Sequence, residues 1–313
     1  MNSSDSSSLP KILVIVGPTA SGKTSLALSI AERVPSEIVS ADSRQVYRML
    51  DIGTAKPLSE ELTKVPHHFI NLLLPSEHFT AGDFAVQGKA IIAGIVKKKK
   101  LPIVVGGTGL YVQALVNGIF SGPGMIKEIR DELEVRAEKE GAEALWHELN
   151  QVDPNSAAKA PPSKIRRVIR ALEIFYATGK PISQHHAEQK HASEFEATFV
   201  GLHWQRSILY ERINTRVDRM LNEGFLDEVK RLLAAGYDER FKALQTVGYK
   251  EAFAYLRGEL SYGRMVELMK QNTRRYAKRQ MTWFRREKSI HWFEIEQNEE
   301  IPQIAARIIE TVK

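Results

Sequence analysis

Gly17-Pro18-Thr19-Ala20-Ser21-Gly22-Lys23-Thr24 is the stretch of sequence that decides the fold. It matches the phosphate-binding pattern G-x-x-x-x-G-K-[ST] in full. The apolar run 12–16 before it predicts a buried strand, and residues 25–31 after it predict a helix. A glycine-rich turn between a strand and a helix directs backbone N–H groups and the positive end of the helix dipole at one point. All eight residues are therefore predicted to hold a diphosphate or polyphosphate, with Lys23 on the terminal phosphates and Thr24 as a ligand of Mg²⁺.

A second apolar stretch, residues 37–41, is followed by Asp42-Ser43-Arg44-Gln45. In a parallel α/β sheet the carboxyl ends of the strands share one crevice, so Asp42 is expected beside the phosphate-binding turn. There it would serve as a partner of Mg²⁺ or as a general base on an incoming nucleophile. Asp is also a good helix N-cap, and position alone does not separate capping from catalysis.

The third predicted strand, residues 101–105, ends in Gly106-Gly107-Thr108-Gly109. A nucleotide-hydrolysing protein with this kind of phosphate-binding loop usually has an Asp at such a strand end to hold the metal. Here glycines stand in its place, and they let another backbone or a flat ligand approach closely. The chain thus has a predicted phosphate-binding loop but lacks the metal-holding carboxylate that is usual for nucleotide hydrolysis. This combination favours a diphosphate that acts as a leaving group.

Length and composition limit the class of protein. The 313 residues are 43% hydrophobic, enough for a buried core, and carry a formal net charge of +6, which suits a nucleic-acid partner without proving one. The absence of cysteine excludes disulfides and Cys-based zinc sites and favours a reducing cytosol. No apolar run has transmembrane length, so we expect a cytoplasmic protein without a membrane contact, and a monomer. Residues 1–10, polar and serine-rich at their start, are interpreted as a disordered lead and not as a signal peptide.

The order of apolar and polar segments predicts the domain organisation. Strands and helices alternate from 11 to 118, the pattern of an α/β fold with a P-loop NTPase-like parallel sheet as its core. Residues 119–202 are predicted to form a helical insertion domain, although 198–204 has the pattern of a strand that returns to the sheet. Residues 203–313 are predicted to be a helical C-terminal region that completes the core. His67 and His68 would point to opposite faces of a strand with no third ligand nearby, so we interpret them as structural.

Two predicted helices concentrate positive charge. Residues 164–178 form an amphipathic pattern in which Arg166, Arg167 and Arg170 lie off the apolar stripe. Residues 270–286 contain seven basic and no acidic residues, with Tyr276, Trp283 and Phe284 between them. Such a helix suits contacts with phosphates of RNA, while its aromatic residues are at least as well explained by packing in a core.

Several further motifs follow the phosphate-binding turn in a fixed order. They are Ala41–Tyr47 (ADSRQVY), Asp51–Pro57 (DIGTAKP), Gly106–Tyr111 (GGTGLY), 166–173 (RRVIRALE), 245–249 (QTVGY) and Thr273–Arg285, which contains 277–283 (AKRQMTW). Together with the turn they span residues 11–285, and the set resembles the bacterial tRNA dimethylallyltransferases. The chain departs from the family at Phe120–Met125 (FSGPGM), where the family often has Leu-Pro-Pro-Ala-Asp-Pro.

The resemblance implies transfer of a dimethylallyl group from dimethylallyl diphosphate to N6 of adenine 37 in tRNA, with the P-loop holding the diphosphate and not ATP. It implies that Asp42 is the general base, that Arg216 helps to stabilise the transition state, and that Thr19 and Lys23 belong to the catalytic set. It also implies that the insertion domain 119–202 contacts the tRNA anticodon stem-loop, and Thr108 and Arg130 match positions that contact the tRNA. The full set of tRNA contacts expected from the matched motifs is Asp42, Ser43, Arg44, Gln45, Thr108, Arg130, Arg166, Arg167, Arg170, Gln245, Thr246, Val247, Gly248, Tyr249, Lys250, Lys278, Arg279 and Gln280.

Three alternatives stay open at the level of sequence. A P-loop kinase of nucleosides or small metabolites would bind ATP without RNA, and the missing strand-end carboxylate and the basic helix speak against it. An RNA-binding GTPase or ATPase would need a purine-reading motif such as N-K-x-D, which is absent. An adenylate prenyltransferase would share the chemistry, but the long insertion and the arginine-rich helices favour a large polyanionic acceptor.

Overall fold

A computed structural model describes residues 9–118, 122–188 and 193–312. The first eight residues of the predicted disordered lead, and Phe120 and Ser121 of the segment that departs from the family, lie outside these ranges. The strands are β1 Lys11–Val16, β2 Ser36–Ser40, β3 His67–His68, β4 Leu101–Gly106, β5 Glu196–Trp204 and β6 His291–Ile295. The α-helices are α1 Lys23–Ala31, α2 Ser59–Lys64, α3 Ala81–Lys97, α4 Gly109–Val116, α5 Lys127–Glu140, α6 Ala142–Val152, α7 Pro154–Lys159, α8 Ile165–Thr178, α9 Ile182–Glu188, α10 Arg206–Asn222, α11 Phe225–Ala234, α12 Tyr249–Leu256, α13 Tyr262–Phe284 and α14 Ile301–Val312. Short 3₁₀ turns lie at Pro162–Lys164, Lys242–Leu244 and Asn298–Glu300.

All six strands form one parallel sheet in the order β3-β2-β4-β1-β5-β6, which confirms the predicted fold class. The connection from β1 to β2 and the one from β3 to β4 run in opposite directions across the sheet. Because such crossovers are right-handed, α1 and α3 lie on opposite faces. This explains why five of the six residues of β1 are buried, on both sides of the strand. The carboxyl ends of β1, β2 and β4 therefore meet at one edge, as the sequence predicted.

The chain separates into two compact units, residues 1–116 with 193–313 and residues 117–192. The second unit contains α5–α9 around a cluster of buried apolar side chains that includes Leu133, Leu149 and Leu172. Residues 196–204 pair with β1 as strand β5, so the strand predicted at 198–204 does return to the sheet and belongs to the first unit.

The C-terminal region contains a strand that the sequence interpretation omitted. Residues 291–295 form β6, which pairs in parallel with β5 and buries Phe293 and Ile295. Its pattern is short, with His291 and Glu294 exposed between the apolar residues, and its partner strand lies far earlier in the chain. The first part of this region forms two helices, α10 and α11, because Gly224 adopts a left-handed conformation between them.

The buried carboxylate of Glu37 gives a structural role to His68, which the sequence analysis interpreted as structural. Glu37 on β2 is 1% exposed and contacts His68 Nε2 at 2.9 Å and the ammonium groups of Lys98 and Lys100 at 3.0 Å each. Burial alone would raise the pKa of Glu37, but these hydrogen bonds outweigh it and lower the pKa to about 2. His68, Lys98 and Lys100 therefore connect β3, the end of α3 and the start of β4 to Glu37 on β2. None of the helices within the described residues is long and apolar enough to cross a membrane.

Candidate active site

The phosphate-binding turn connects β1 to α1, as predicted. Gly22 forms the N-cap of α1 in a left-handed conformation, and no side chain caps the helix. The first N–H groups of α1 therefore have no partner within the helix and are available to an anion. Thr19, Lys23 and Thr24 line a cleft with a cavity volume of about 100 Å³.

The same cleft gathers residues from distant parts of the first unit. Asp42 and Gln45 come from the end of β2, Thr54 and Pro57 from the loop after it, and Arg216 from α10. The complete lining consists of Thr19, Lys23, Thr24, Ala27, Ile38, Ser40, Asp42, Gln45, Thr54, Ala55, Pro57, His67, Val105, Gly106, Gly107, Arg216, Tyr276 and Gln280. All four residues predicted to be catalytic are thus in one place.

Lys23 and Arg216 bring two cations into this cleft. Both residues keep some exposed surface, but protein atoms enclose their charged ends. Burial, followed by repulsion from Arg216, lowers the pKa of Lys23 to about 7, and Asp42 opposes the change. Burial likewise lowers the pKa of the Arg216 guanidinium, again against the attraction of Asp42. The cleft therefore holds more positive charge than its own side chains neutralise, and a bound anion would restore the balance.

Asp42 is held by the backbone that follows it. Its Oδ1 accepts hydrogen bonds from the N–H groups of Arg44 at 2.8 Å and Gln45 at 3.3 Å. Residues 43–46 form a turn and not a helix, so Asp42 caps a turn while lining the cleft. Capping and catalysis, which the sequence offered as alternatives, are compatible because the cap uses one carboxylate oxygen and leaves the other to the cleft.

The glycines at the end of β4 have the role that the sequence suggested for them. A Cβ on Gly106 would lie 2.1 Å from the carbonyl oxygen of Ala41, so only glycine lets the ends of β2 and β4 approach this closely. Next to it, Thr108 Oγ1 accepts a hydrogen bond from Ser43 N at 3.1 Å. Thr108 therefore supports the turn that carries Asp42, and its predicted contact with tRNA stays a prediction.

Gln280 on α13 was predicted to contact tRNA; in the structure it lines the cleft and is held by two of the turns around it, and the contact with tRNA stays a prediction. The side chain is 7% exposed. Its Oε1 accepts from Thr19 N at 2.8 Å, and its Nε2 donates to Gly107 O at 3.0 Å. Both ends of the amide are in use, so Gln280 connects the phosphate-binding turn to the glycine turn after β4. The neighbouring Lys278 and Arg279 are exposed on the outer face of α13 and stay candidates for RNA contact.

The residues of the motif 245–249, and Lys250 after it, also differ in their burial. Gln245 and Lys250 are exposed, Thr246 and Val247 are half-buried, and Gly248 is buried. Tyr249 is fully buried and donates its O–H to Glu228 at 2.6 Å. Its predicted contact with tRNA is therefore wrong for the side chain, which packs in the core.

Arg130, Arg166, Arg167 and Arg170 all lie in the second unit. Arg166 and Arg167 are exposed on α8. Arg130 and Arg170 contact the buried carboxylate of Glu173 at 2.5 and 3.1 Å. Arg130 thereby connects α5 to α8, whereas Arg170 lies on α8 together with Glu173. A tRNA contact by either arginine stays a prediction that would have to compete with Glu173.

Among the lining residues that the predicted site did not include, two have ionisable side chains, Tyr276 and His67. Tyr276 on α13 faces Asp42, and burial followed by that negative charge raises its pKa to about 12. His67, interpreted as structural from the sequence, reaches the cleft while its Nδ1 contacts Val65 O at 2.7 Å. The basic–aromatic pattern of α13 could have indicated Tyr276, whereas nothing in the local sequence separates His67 from His68.

These features define a class of protein: a P-loop α/β protein whose cleft combines two cations, Lys23 and Arg216, with the acidic Asp42 and has no carboxylate on the strand beside the loop. Residues 45–287 match the family model described as IPP transferase. The chain belongs to this family.

The named relatives and the solved structures match this chain over most of its length. The tRNA dimethylallyltransferase of Geobacter metallireducens is 48% identical over 285 residues, which cover 91% of this chain and 92% of the relative. The crystal structure of the tRNA isopentenylpyrophosphate transferase of Bacillus halodurans is 40% identical, with a TM-score of 0.71 and 96% of each chain covered. A eukaryotic dimethylallyltransferase captured acting on tRNA is 31% identical, with a TM-score of 0.84, covering 96% of this chain and 77% of that one.

Proposed function

We propose that this protein transfers a dimethylallyl group from dimethylallyl diphosphate to N6 of adenine 37 in tRNA, giving N6-isopentenyladenosine next to the anticodon, and that it works in the cytoplasm. The observation that carries the proposal is the single cleft in which the P-loop cation Lys23 and the second cation Arg216 face Asp42. The relatives are described as dimethylallyl or isopentenyl transferases that act on tRNA, and these descriptions support the same donor and acceptor.

The donor half of the reaction follows from the phosphate-binding turn. The N–H groups at the start of α1, together with Lys23, would bind the diphosphate. As the bond between C1 of the prenyl group and the diphosphate oxygen breaks, its electron pair moves to the oxygen. Lys23 and Arg216 would stabilise the charge that grows there, in a cleft where it is poorly screened by water.

The acceptor half depends on Asp42. The exocyclic amine of adenine is a weak nucleophile because its lone pair is delocalised into the ring. As N6 forms its bond to C1, Asp42 would accept the proton that N6 loses, which keeps the amine reactive without a separate deprotonation. Because adenine 37 is stacked in the anticodon loop, it must leave the stack to reach the cleft.

The residues present fit a magnesium ion. Mg²⁺ is usually held by one or two carboxylates and by phosphates of the substrate, with water completing the shell. The Thr24 hydroxyl and the Asp42 carboxylate line the cleft, and the described residues contain no group of three or more His, Cys, Asp or Glu that would hold a metal by themselves. We propose that Thr24 and the bound diphosphate hold the ion, which when bound would neutralise part of the diphosphate charge.

A transfer assay tests the proposal. Purified protein, Mg²⁺ and labelled dimethylallyl diphosphate are offered unmodified tRNA, AMP or adenosine separately. Label in tRNA alone, mapped to adenine 37, is the expected result. Label in AMP would keep the chemistry and make the acceptor a free adenylate, while phosphate transfer from ATP without any label would overturn the proposal.

The outer face of α13 provides the first testable prediction. Arg275, Lys278 and Arg279 are exposed, and none of them has an ion pair among the side chains that the structure describes. Replacing all three by Gln should weaken tRNA binding and reduce the slope of log affinity against log salt by about 0.7–1 for each phosphate that is no longer neutralised. Binding of tRNA at several salt concentrations measures both quantities.

A control variant carries the same change of charge elsewhere on the surface. Lys64, Lys97 and Lys99 are exposed at the ends of α2 and α3. Replacing these three by Gln should leave the salt slope close to that of the wild type. Equal losses in both variants would show that only net charge matters, and an unchanged slope in the first would remove α13 from the tRNA-binding surface.

A further inference from the structure

A buried carboxylate outside the cleft makes an unusual number of hydrogen bonds. Glu228 on α11 is 2% exposed. Its Oε2 accepts from the N–H groups of Asp51 at 2.9 Å and Ile52 at 2.6 Å, and its Oε1 accepts from Gly53 N at 3.1 Å and from the O–H of Tyr249 at 2.6 Å. Three consecutive backbone N–H groups thus converge on one side chain that lies far from them in the sequence.

The loop held in this way cannot shift without breaking further contacts. A Cβ on Gly53 would lie 2.5 Å from the rings of Phe225 and Tyr249, so the backbone rests directly on these two side chains. Burial, followed by the negative charge of Glu228, raises the pKa of Tyr249 well above its usual value, which keeps the phenol a donor. The carboxylate and the rings together specify one position for residues 51–53.

The other side of the same loop faces the cleft. Thr54 O accepts from Arg216 Nη2 at 3.4 Å, and Ala55 O accepts from Gln45 Nε2 at 3.1 Å. Thr54, Ala55 and Pro57 also line the cleft. The carbonyl that orients the guanidinium of Arg216 is therefore one residue away from the segment that Glu228 fixes.

We infer that Glu228 is a positioning residue for the transfer reaction, acting through loop 51–55 to hold the Arg216 guanidinium where charge develops on the diphosphate. The inference rests on the proposed function for its catalytic meaning. Tyr249 supports Glu228 and acts one step further from the cleft. This role explains why Tyr249, within the 245–249 motif, is buried against Glu228, which a contact with RNA would not explain.

The test is Glu228→Gln, which keeps the shape but replaces one acceptor oxygen by an amide that cannot accept from a backbone N–H. We expect kcat for transfer to fall by about 10–100-fold, the size of effect that a small misplacement of a catalytic group produces. Affinity for tRNA should stay within about twofold, because none of the exposed basic residues is touched. Affinity for inorganic pyrophosphate, which carries the fully developed charge, should fall as well.

A double-mutant cycle separates positioning from a general loss of stability. If Glu228 acts through Arg216, Glu228→Gln should have little further effect on pyrophosphate affinity once Arg216 is replaced by Ala. Glu251→Gln is the matched control, since Glu251 is also a buried carboxylate, 7% exposed, and accepts from Gly248 N at 2.7 Å and Asn272 Nδ2 at 2.6 Å without contacting loop 51–55. It should lower the melting temperature and leave pyrophosphate affinity unchanged.

Two results would overturn the inference. One is that the effects of Glu228→Gln and Arg216→Ala on pyrophosphate affinity are fully additive. The other is that Glu228→Gln lowers pyrophosphate affinity no more than Glu251→Gln does. If Glu228→Gln does not fold, Tyr249→Phe removes one donor to the carboxylate while keeping the ring on Gly53, and its smaller effect must show the same dependence on Arg216. Pyrophosphate binding needs no transfer, so a wild type that labels no tRNA would reject the proposed function while the cycle still decides the role of Glu228.

Discussion

Asp42→Asn should lower the rate of prenyl transfer by about 10²–10⁴-fold, the contribution typical of a general base. The asparagine oxygen can still accept from Arg44 N and Gln45 N, so the turn that places residue 42 should persist. The loss should therefore appear in the chemical step, measured as label transferred in a single turnover at saturating donor and tRNA. Affinity for tRNA, measured separately, should stay within about threefold of the wild type.

A control separates the base from mere negative charge. Glu77 is an exposed carboxylate whose replacement by Gln removes the same charge away from the cleft, and this variant should transfer at the normal rate. Near-normal turnover of Asp42→Asn would remove Asp42 from the role of base. A loss of tRNA binding as large as the loss of rate would show that Asp42 acts by holding the acceptor instead.

The second large effect concerns Lys23 and pH. The pKa of Lys23 is about 7 in the free protein, and a bound diphosphate favours the charged ammonium and raises that pKa. Above about pH 7 the complex then binds more protons than the free protein, so affinity must fall as pH rises, by up to about tenfold per pH unit. Pyrophosphate binding at about pH 8 should take up close to one proton, measured by calorimetry in two buffers of different ionisation enthalpy.

Lys23→Met provides the control for this effect, because it keeps the stem of the side chain and loses the titrating group. It should weaken pyrophosphate binding by about 10–100-fold, the value of a hydrogen bond to a charged group. Its affinity should also lose the component of pH dependence that Lys23 contributes. The same proton uptake in the wild type and the variant would assign the titration to another group.

The local sequence was enough to predict the parts of the fold that depend on short-range patterns. The apolar strand, the glycine-rich turn and the helix at residues 12–31 predicted β1, the P-loop and α1, because each depends on neighbouring residues alone. The period of α8 predicted its bounds for the same reason. β6 was missed since a five-residue strand with exposed His291 and Glu294 is stabilised only by its pairing with β5.

The candidate site likewise has a part that the local sequence predicted and a part that it did not. Asp42 was predicted beside the P-loop because both follow strands of one parallel sheet. The residue type of Gln280 and Tyr249 did not reveal whether each faces solvent or the interior. Their burial depends on which helix packs on them, and their hydrogen bonds reach residues far away in the chain.

The sequence by itself determined that this chain is a P-loop α/β protein, and it predicted a catalytic set in which Thr19, Lys23 and Asp42 follow strand ends, because the phosphate-binding turn and the strand pattern are local and strongly periodic. Only the tertiary structure decided how that set is supported. Glu228 reaches the 51–53 loop and Gln280 reaches Thr19 across large separations in sequence, and each bond forms only after distant helices have packed. No local pattern encodes a hydrogen bond of that kind, because its partners become neighbours through the burial of the core and not through their order in the chain.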